Sequence, residues 1–327
     1  MTFPFPVPST VPLFLAPMAG VSDHPFRRMC RSFGADVVTS QFLSSEGIRR
    51  GVESVQNGAS FTPDERPIGI QLYGAEPTAL AEAAALVTEQ YRPDFIDVNF
   101  GCPARRVVRH NGGAACLKDL SLVERIVRAV RGATCLPVAV KTRSGWDEST
   151  RNPVEIALRC QDAGAQMLTL HPRTRAQMYH GAARWEEIAA VVEALEIPIV
   201  GNGDIRSADD AVRMRRETRC AGLMIARGCL GNPWIFRETR DLLSGRDPAP
   251  RPGAAERFAV MLRHRDLVRD GHVDDRRSAF EFRKHLGWYS KGLPNAAQLR
   301  VQLFGIESLD SVETVLDRYR TPVEKIA

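Results

Sequence analysis

A cysteine in a tight loop is the first residue of this chain whose type and setting suggest chemistry. Cys102 stands between Gly101 and Pro103, shortly after an apolar run that ends at Asn99. Its thiol could be a nucleophile, a proton donor or a small apolar filler, and unpaired cysteines are most often buried fillers. The flanking glycine and proline fix a bend that a core filler does not require. We therefore take Cys102 as a candidate catalytic residue.

Two glycine-containing turns predict an anion site. They are Gly201–Asp204 and Ala226–Gly228, and each follows a short apolar run. Backbone N–H groups in such turns bind phosphate, and the arginine of the second turn adds positive charge. No Gly-x-Gly-x-x-Gly motif follows a predicted strand, so a separate dinucleotide-binding fold is not expected.

Lys141 ends an apolar run in a chain that contains few lysines. It could form a Schiff base, or stay protonated and bind the electron-rich edge of a flavin ring. A Schiff-base enzyme would need an obvious acid-base partner, whereas the amides of Gln71 and Asn202 suit the carbonyl and N–H edges of a planar heterocycle. This set of side chains favours a flavin.

Eight short runs rich in valine, isoleucine and leucine must position these residues. The runs are 13–17, 36–41, 67–72, 94–99, 136–141, 166–171, 197–201 and 220–226. Amphipathic helical segments separate them, and Ser207 is suited to cap the helix after the seventh run. The alternation predicts an α/β protein, either a (β/α)8 TIM barrel or an open doubly wound sheet.

Polar residues at the ends of these runs favour the barrel. The first run ends at Pro17 and Met18, and the polar residues that end the other seven are Gln41, Gln71, Asn99, Lys141, His171, Asn202 and Arg227. Polar side chains are costly to bury without a role. The carboxyl ends of all eight strands meet on one face of a barrel, so these side chains would surround one pocket.

A small all-helical domain is predicted after the barrel. Residues 245–253 are rich in proline and glycine, and 254–320 have no strand-like runs. We therefore divide the chain into a barrel, 1–244, and a helical domain, 245–327. Residues 246–300 carry 12 basic and 7 acidic side chains, so the excess positive charge of the protein, +5 overall, is concentrated there.

The composition is that of an ordinary globular protein: 327 residues, 44% hydrophobic and 25% charged. The seven cysteines form neither a Cys-x-x-Cys pair nor a zinc pattern, which favours a reducing cytoplasm and no metal. The apolar start, 1–17, lacks the basic residues of a targeting segment. We expect a cytoplasmic protein that does not enter a membrane and need be no more than a monomer.

Taken together, these motifs resemble those of the tRNA dihydrouridine synthases, flavoenzymes that reduce a uridine in tRNA. The matching segments are 16–20, 97–103, 141–143, 171–175, 201–205, 226–228 and 283–285, followed by Trp288 and Tyr289. The likeness covers almost the whole chain, and residues 233–236 are most similar to the bacterial B-type branch. Two departures, Pro172 and Ala226, stand where glycine is common.

The resemblance implies that FMN lies across the barrel mouth and is reduced by NADPH. The implied cofactor residues are Pro17, Met18, Ala19, Gln71, Lys141, His171, Asn202, Gly203, Asp204, Ala226, Arg227 and Gly228. It also implies that hydride passes from flavin N5 to uracil C6, while Cys102 gives a proton to C5. The uridine, at a D-loop position, would be flipped out of the RNA to reach this site.

The implied substrate contacts are Asn99, Arg143 and Arg173, at the uracil or its backbone. Separately, the basic charge of the helical domain makes Arg283 and Lys284, helped by Arg105 of the barrel, candidate contacts for the phosphate backbone. Any single helical arginine is more often an ordinary solvated side chain. Two other functions stay open: an FMN oxidoreductase on a free pyrimidine, resembling dihydroorotate dehydrogenase, and an RNA-binding module without catalysis. The presence of Cys102, Lys141 and His171 argues against the second.

Overall fold

Eight parallel strands close into a barrel in this computed structural model, which describes residues 2–271 and 274–323. The described residues form the following strands, and all of them except β3 belong to the barrel: β1 (Leu13–Leu15), β2 (Val37–Thr39), β3 (Leu43–Ser44), β4 (Ile68–Tyr73), β5 (Phe95–Phe100), β6 (Val138–Arg143), β7 (Met167–His171), β8 (Ile199–Asn202) and β9 (Gly222–Ile225). The ring closes because β2 pairs with both β1 and β4, and β1 pairs with β9. Each predicted run overlaps one strand of the ring, so the barrel is confirmed over the open sheet. The two-residue β3, which pairs with β4 outside the ring, was not predicted.

Helices cover the outside of the barrel and continue beyond it. They are α1 (His24–Ser32), α2 (Ser45–Arg49), α3 (Glu53–Asn57), α4 (Pro77–Gln90), α5 (Arg105–Val108), α6 (Leu120–Ala133), α7 (Pro153–Asp162), α8 (Trp185–Ala194), α9 (Ala208–Thr218), α10 (Ile235–Leu243), α11 (Ala254–Gly271), α12 (Asp275–Tyr289), α13 (Ala296–Phe304) and α14 (Ser311–Val323). Ser207 caps α9 as predicted, since its hydroxyl accepts a hydrogen bond from the Asp210 N–H. Short 3₁₀ turns lie at Pro63–Glu65, Gly113–Lys118, Glu148–Thr150 and Arg227–Cys229.

The barrel interior has an apolar floor below a polar mouth. The floor contains Phe14, Val37, Phe95, Ala139, Met167, Val200 and Met224, and Phe5 stacks on Phe95 with ring centroids 4.6 Å apart. Alternate residues of a strand point to the same face. The residues two or four positions after this floor, such as Asn99, Lys141 and Asn202, therefore face the interior at the mouth.

The C-terminal helices α11 to α14 enclose a second apolar core that also includes Met29 and Trp234 of the barrel. Gly231 shows how closely the two parts approach, because a Cβ there would lie 2.3 Å from the Trp288 carbonyl oxygen. A helical region after the barrel is therefore confirmed. The predicted segment 245–327 includes 272–273 and 324–327, which lie outside the described residues. Among the helices that are described, none has the length and apolar character of a transmembrane span.

Candidate active site

A cavity of about 1160 Å³ opens at the carboxyl ends of the strands. Fourteen residues that the sequence suggested for the site line it: Pro17, Met18, Ala19, Asn99, Cys102, Lys141, Arg143, His171, Asn202, Gly203, Asp204, Ala226, Arg227 and Gly228. They are spread over more than two hundred positions of the sequence. The barrel brings them together because each follows or ends a strand.

The loop that carries Cys102 is held by Asn99. The side-chain Oδ1 of Asn99 accepts hydrogen bonds from the backbone N–H groups of Gly101 at 3.0 Å and Cys102 at 2.8 Å. Gly113, with a φ of +58°, lies against this loop, since a Cβ there would approach the Cys102 carbonyl oxygen to 2.9 Å. The loop geometry therefore depends on the amide side chain of Asn99 and on Gly113, where any other residue would strain the backbone.

The Cys102 thiol is protonated at neutral pH. Its residue is only 9% exposed, and this burial raises the pKa of the thiol, although the positive charges of Arg106, Arg143 and Lys141 oppose the shift. A neutral thiol can donate a proton but is a poor nucleophile. The site thus favours Cys102 as an acid.

Lys141 places a positive charge at the centre of the mouth. Its Nζ donates to Asn202 Oδ1 at 3.1 Å, and the Asn202 amide donates to the Met224 carbonyl at 2.9 Å. Burial lowers the pKa of Lys141 to about 8, and the carboxylate of Asp97 partly opposes this shift. Near neutral pH the side chain is still mostly an ammonium group, which can donate to an oxygen or nitrogen atom of a bound molecule.

Arg143 braces two loops around the cavity. Its Nε donates to the Gly101 carbonyl at 2.9 Å, and its Nη1 donates to the carbonyls of Thr174 and Met178 at 3.0 and 2.8 Å. Burial lowers the pKa of Arg143 to about 10, so it remains charged at neutral pH. This arginine joins the Cys102 loop to the loop that follows β7.

Arg173 does not reach the cavity that it was expected to line. It is fully buried, and its Nη2 donates to Asp204 Oδ2 at 2.6 Å while its Nη1 donates to His171 Nε2 at 3.2 Å. An arginine only donates, so His171 Nε2 accepts and the ring proton lies on Nδ1. Burial and nearby cations also lower the pKa of His171, so its imidazole is neutral. Arg173 therefore orients His171 and Asp204, which line the cavity, without lining the cavity itself.

Gln71 is also absent from the cavity wall. It is fully buried, and its Oε1 accepts from Asn99 Nδ2 at 2.6 Å. It lies below Asn99 in the barrel interior. The alternation along the strand predicted that Gln71 faces the barrel interior, but it did not predict that this side chain lies below the cavity lining.

The turns after β8 and β9 form an anion cradle. A Cβ at Gly203, where φ is +120°, would approach His171 Cδ2 to 2.7 Å, and one at Gly228 would approach the Ile205 carbonyl oxygen to 2.4 Å. Within the described ranges, no acceptor is found for the backbone N–H groups of Gly203, Asp204, Arg227 and Gly228. Unpaired N–H groups beside an arginine are suited to a phosphate. In the same described ranges, no group of three or more His, Cys, Asp or Glu side chains could hold a metal ion.

Comparison with known proteins identifies the family. The family model described as Dihydrouridine synthase (Dus) matches residues 14–324. The chain belongs to the dihydrouridine synthase family. As a member of this family it is an enzyme.

Named relatives agree along nearly the full length. The chain is 39% identical over 303 residues to the probable tRNA-dihydrouridine synthase 1 of Synechocystis, covering 93% of this chain and 84% of that protein. It is 37% identical to tRNA-dihydrouridine synthase B of Pseudomonas aeruginosa, with 93% and 92% covered. It is 39% identical to tRNA-dihydrouridine synthase B of Xanthomonas axonopodis, with 91% of this chain and 90% of that protein covered. The likeness to dihydrouridine synthases that include B-type proteins is therefore confirmed.

Solved structures support the fold alone. Histamine dehydrogenase from Rhizobium has a TM-score of 0.51 at 12% identity, with 80% of this chain and 50% of that chain covered. The 6-hydroxypseudooxynicotine amine oxidase of Pseudomonas geniculata has a TM-score of 0.51 at 14% identity, with 79% and 52% covered. This dihydrouridine synthase family member therefore spans about half the length of those chains.

Tyr179 lines the cavity of this dihydrouridine synthase family member but was not predicted from the sequence. It is 50% exposed, and the guanidinium carbons of Arg227 and Arg143 lie 4.4 and 5.5 Å from its ring centroid. It belongs to an irregular loop, where no hydrophobic period marks a buried face. The preceding Met178, with a φ of +52°, gives the loop its turn.

Three expected RNA contacts lie away from the cavity. Arg105 is exposed on α5, whereas Arg283 and Lys284 are half-buried on α12. Arg283 Nε donates to the Ile306 carbonyl at 3.1 Å, so this side chain also joins α12 to the segment after α13.

Proposed function

We propose that this dihydrouridine synthase uses FMN and NADPH to reduce the C5–C6 double bond of a D-loop uridine in cytoplasmic tRNA. The observation that carries the proposal is the cavity itself. One opening joins a protonated thiol, a partly buried ammonium group and an anion cradle. These are the groups needed to protonate a base, bind the ring of a flavin and hold its phosphate.

The residues present fit FMN. The N–H groups of Gly203, Asp204 and Gly228, for which the described residues provide no acceptor, would hold the phosphate together with the Arg227 guanidinium. Lys141 would bind the N1–C2 edge of the ring, with Asn202, His171 and the backbone of 17–19 and Ala226 around it. When bound, FMN would supply the hydride that uracil receives at C6. We propose a supporting role for Gln71, beneath Asn99, in place of ring contact.

Cys102 completes the reduction as a general acid. A hydride at C6 leaves negative charge toward C5, and the protonated thiol gives its proton to that carbon. Such acid catalysis contributes roughly 10²- to 10⁴-fold to a rate. Asn99 and Arg143 hold the loop that presents the thiol, and we propose that both also lie near the uracil.

The RNA must present a flipped-out base, because a paired base cannot enter a barrel mouth. Flipping costs a few kcal/mol, so additional binding surface is needed. We propose that the helical domain, 245–327, supplies it through its basic side chains, including Arg283 and Lys284, with Arg105 contributing from the barrel domain, 1–244. Arg173 would then affect the uridine only through His171 and Asp204.

The test is a reconstituted reaction. Purified full-length protein loaded with FMN is given NADPH and an unmodified tRNA transcript, and dihydrouridine is measured and mapped by mass spectrometry. We expect one D-loop uridine to gain two hydrogens in a reaction that requires FMN. Turnover of free uracil or dihydroorotate without any tRNA product would instead support the free-pyrimidine function, and a protein that binds tRNA but takes up no FMN would support an RNA-binding module.

A further inference from the structure

A buried chain of side chains lies directly beneath the Cys102 loop. Gln71 of β4 stands opposite Asp97 of β5 in the strand register, and Asn99 follows Asp97 on the same face. The three residues are 0%, 3% and 5% exposed. They link the floor of the site to its reactive loop.

The hydrogen bonds among these three side chains all run in one direction. Gln71 Nε2 donates to Asp97 Oδ2 at 2.5 Å, and Asn99 Nδ2 donates to Gln71 Oε1 at 2.6 Å. The remaining amide oxygen, Asn99 Oδ1, accepts from the N–H groups of Gly101 and Cys102. Each amide therefore uses its nitrogen toward Asp97 and its oxygen toward the loop.

Asp97 determines this direction at one end. An amide can present either its oxygen or its NH₂ group, whereas an ionised carboxylate only accepts. If Gln71 reversed, its NH₂ group would face the NH₂ group of Asn99 in a buried site, where an unpaired donor is costly. The ammonium group of Lys141 attracts the Asp97 carboxylate and favours its ionised form.

We propose that Asp97 is a positioning residue, whose carboxylate orients Gln71 and Asn99 and thereby holds the Cys102 loop in its reactive geometry. This effect on the loop stands independently of the proposed function. Its consequence for uridine reduction rests on that function. Asp97 touches no reacting atom and acts only through the two amides.

The test measures alkylation of Cys102 by iodoacetamide in the full chain, without flavin or tRNA. Of the seven cysteines only Cys135 is exposed, so Cys135→Ser serves as the background and peptide mass spectrometry identifies the modified thiol. Burial raises the pKa of Asp97 to about 7 and lowers the pKa of Lys141 to about 8. A pH between these values keeps both groups mostly charged.

Asp97→Asn should increase Cys102 alkylation about tenfold, the order expected when two buried hydrogen bonds are broken. The new amide at position 97 will turn its oxygen toward the Lys141 ammonium group and its NH₂ group toward Gln71. This arrangement reverses the direction of the hydrogen bonds from position 97 through Gln71 to Asn99. Asp94→Asn is the matched control. Asp94 Oδ2 accepts from the Ile68 N–H at 2.7 Å, so it bridges the same two strands at their other end, and Cys102 alkylation should not change.

A swap provides the rescue. In Gln71→Glu with Asp97→Asn, the carboxylate moves to position 71 and accepts from the amides on both sides, so the direction is restored. Cys102 alkylation should return to within about twofold of the background protein. A structural role for Asp97 in strand packing alone would not produce this recovery.

The outcomes separate clearly. Unchanged alkylation in Asp97→Asn, or no recovery in the swap, overturns the proposal. If Asp97→Asn does not fold, the swap must fold and match the background, and its failure also overturns the proposal. With saturating FMN and tRNA present, we expect the kcat of uridine reduction to fall about tenfold in Asp97→Asn. Loss of activity in every variant, including the background, would instead count against the proposed function.

Discussion

Arginines at the barrel mouth and arginines on the helical region are used in different ways. Arg143 and Arg173 are at most 2% exposed and donate to backbone carbonyls, a carboxylate and an imidazole. The side chains of Arg276 and Arg277 on α12 are 82% and 76% exposed, and their carboxylate partners lie 3.9 and 3.0 Å away. The first pair holds loops in place, whereas the second pair can exchange its partners.

This difference separates two kinds of contribution. Breaking a buried ion pair by removing one partner costs about 3–5 kcal/mol, whereas an exposed pair contributes about 0–1 kcal/mol. Substitutions at the mouth should therefore have large, single-residue effects on chemistry. Substitutions on the helices should have small effects on RNA affinity that add together and depend on salt.

The largest effect is expected at Cys102. Cys102→Ala removes the proton donor, so dihydrouridine formation should fall roughly 10²- to 10⁴-fold, with FMN binding and reduction by NADPH unchanged. Rapid-mixing measurement of flavin reoxidation by tRNA gives the rate. Cys135→Ser, at an exposed cysteine, is the control and should react normally. A Cys102→Ala rate close to that of the wild type would remove the thiol from the chemistry.

The next effect concerns the anion cradle. Gly228→Ala places a methyl group 2.4 Å from the Ile205 carbonyl oxygen, and backbone cannot move aside as a side chain can. Overpacking of this kind costs about 1–3 kcal/mol, so FMN affinity should fall roughly 5- to 150-fold in a fluorescence titration. Gly132→Ala on α6, where no atom lies within 4 Å, should bind FMN normally. Equal affinities in all three proteins would place the phosphate elsewhere.

The helical region should show a smaller effect. Arg276→Glu with Arg277→Glu should weaken tRNA binding about tenfold at low salt, and the slope of log affinity against log salt should decrease by about 1 for each phosphate that is no longer neutralised. Arg213→Glu with Arg216→Glu, at side chains on α9 that are 53% and 75% exposed, changes the net charge equally and is the matched control. If the α9 control and the α12 variant lose the same affinity, net charge alone would explain the binding.

The smallest effect is on stability and comes from Lys141. Burial lowers its pKa to about 8, so the folded protein holds this proton less tightly than the unfolded chain. The charged ammonium group therefore destabilises the fold below about pH 8, and this penalty disappears as pH rises toward the ordinary lysine value. Lys141→Met should raise the free energy of unfolding of the flavin-free protein at pH 7 by about 1 kcal/mol, because the penalty of roughly 3 kcal/mol that it removes is partly offset when the Asp97 carboxylate loses its nearby cation. The gain should be smaller at pH 10.

Denaturant unfolding at the two pH values checks this expectation, with Lys291→Met, at an exposed lysine, as the control. The same Lys141→Met variant should bind FMN more weakly. A less stable Lys141→Met protein at pH 7 would show that the ammonium group supports the fold instead of weakening it.

The barrel was predictable because a parallel strand buried on both sides leaves a continuous apolar run, and eight such runs are present. The convergence of Asn99, Lys141 and Asn202 followed from that topology. The depth of a side chain below the cavity surface was not predictable. Gln71 and Arg173 occupy the expected elements but are fully buried behind the residues that line the cavity. Sequence periodicity predicts which face of a strand a residue lies on, but it does not predict which neighbouring side chain covers that residue. Tyr179 was missed since an irregular loop has no period at all.

A crystal structure of the protein with FMN tests the central claim most directly. We predict that phosphate oxygens lie about 3 Å from the N–H groups of Gly203 or Gly228 and from the Arg227 guanidinium, with the ring beside Lys141. The Cys102 thiol should face the ring across an open gap wide enough for a pyrimidine. An FMN phosphate bound outside the β8 and β9 turns, or a Cys102 side chain directed away from the ring, would contradict the account.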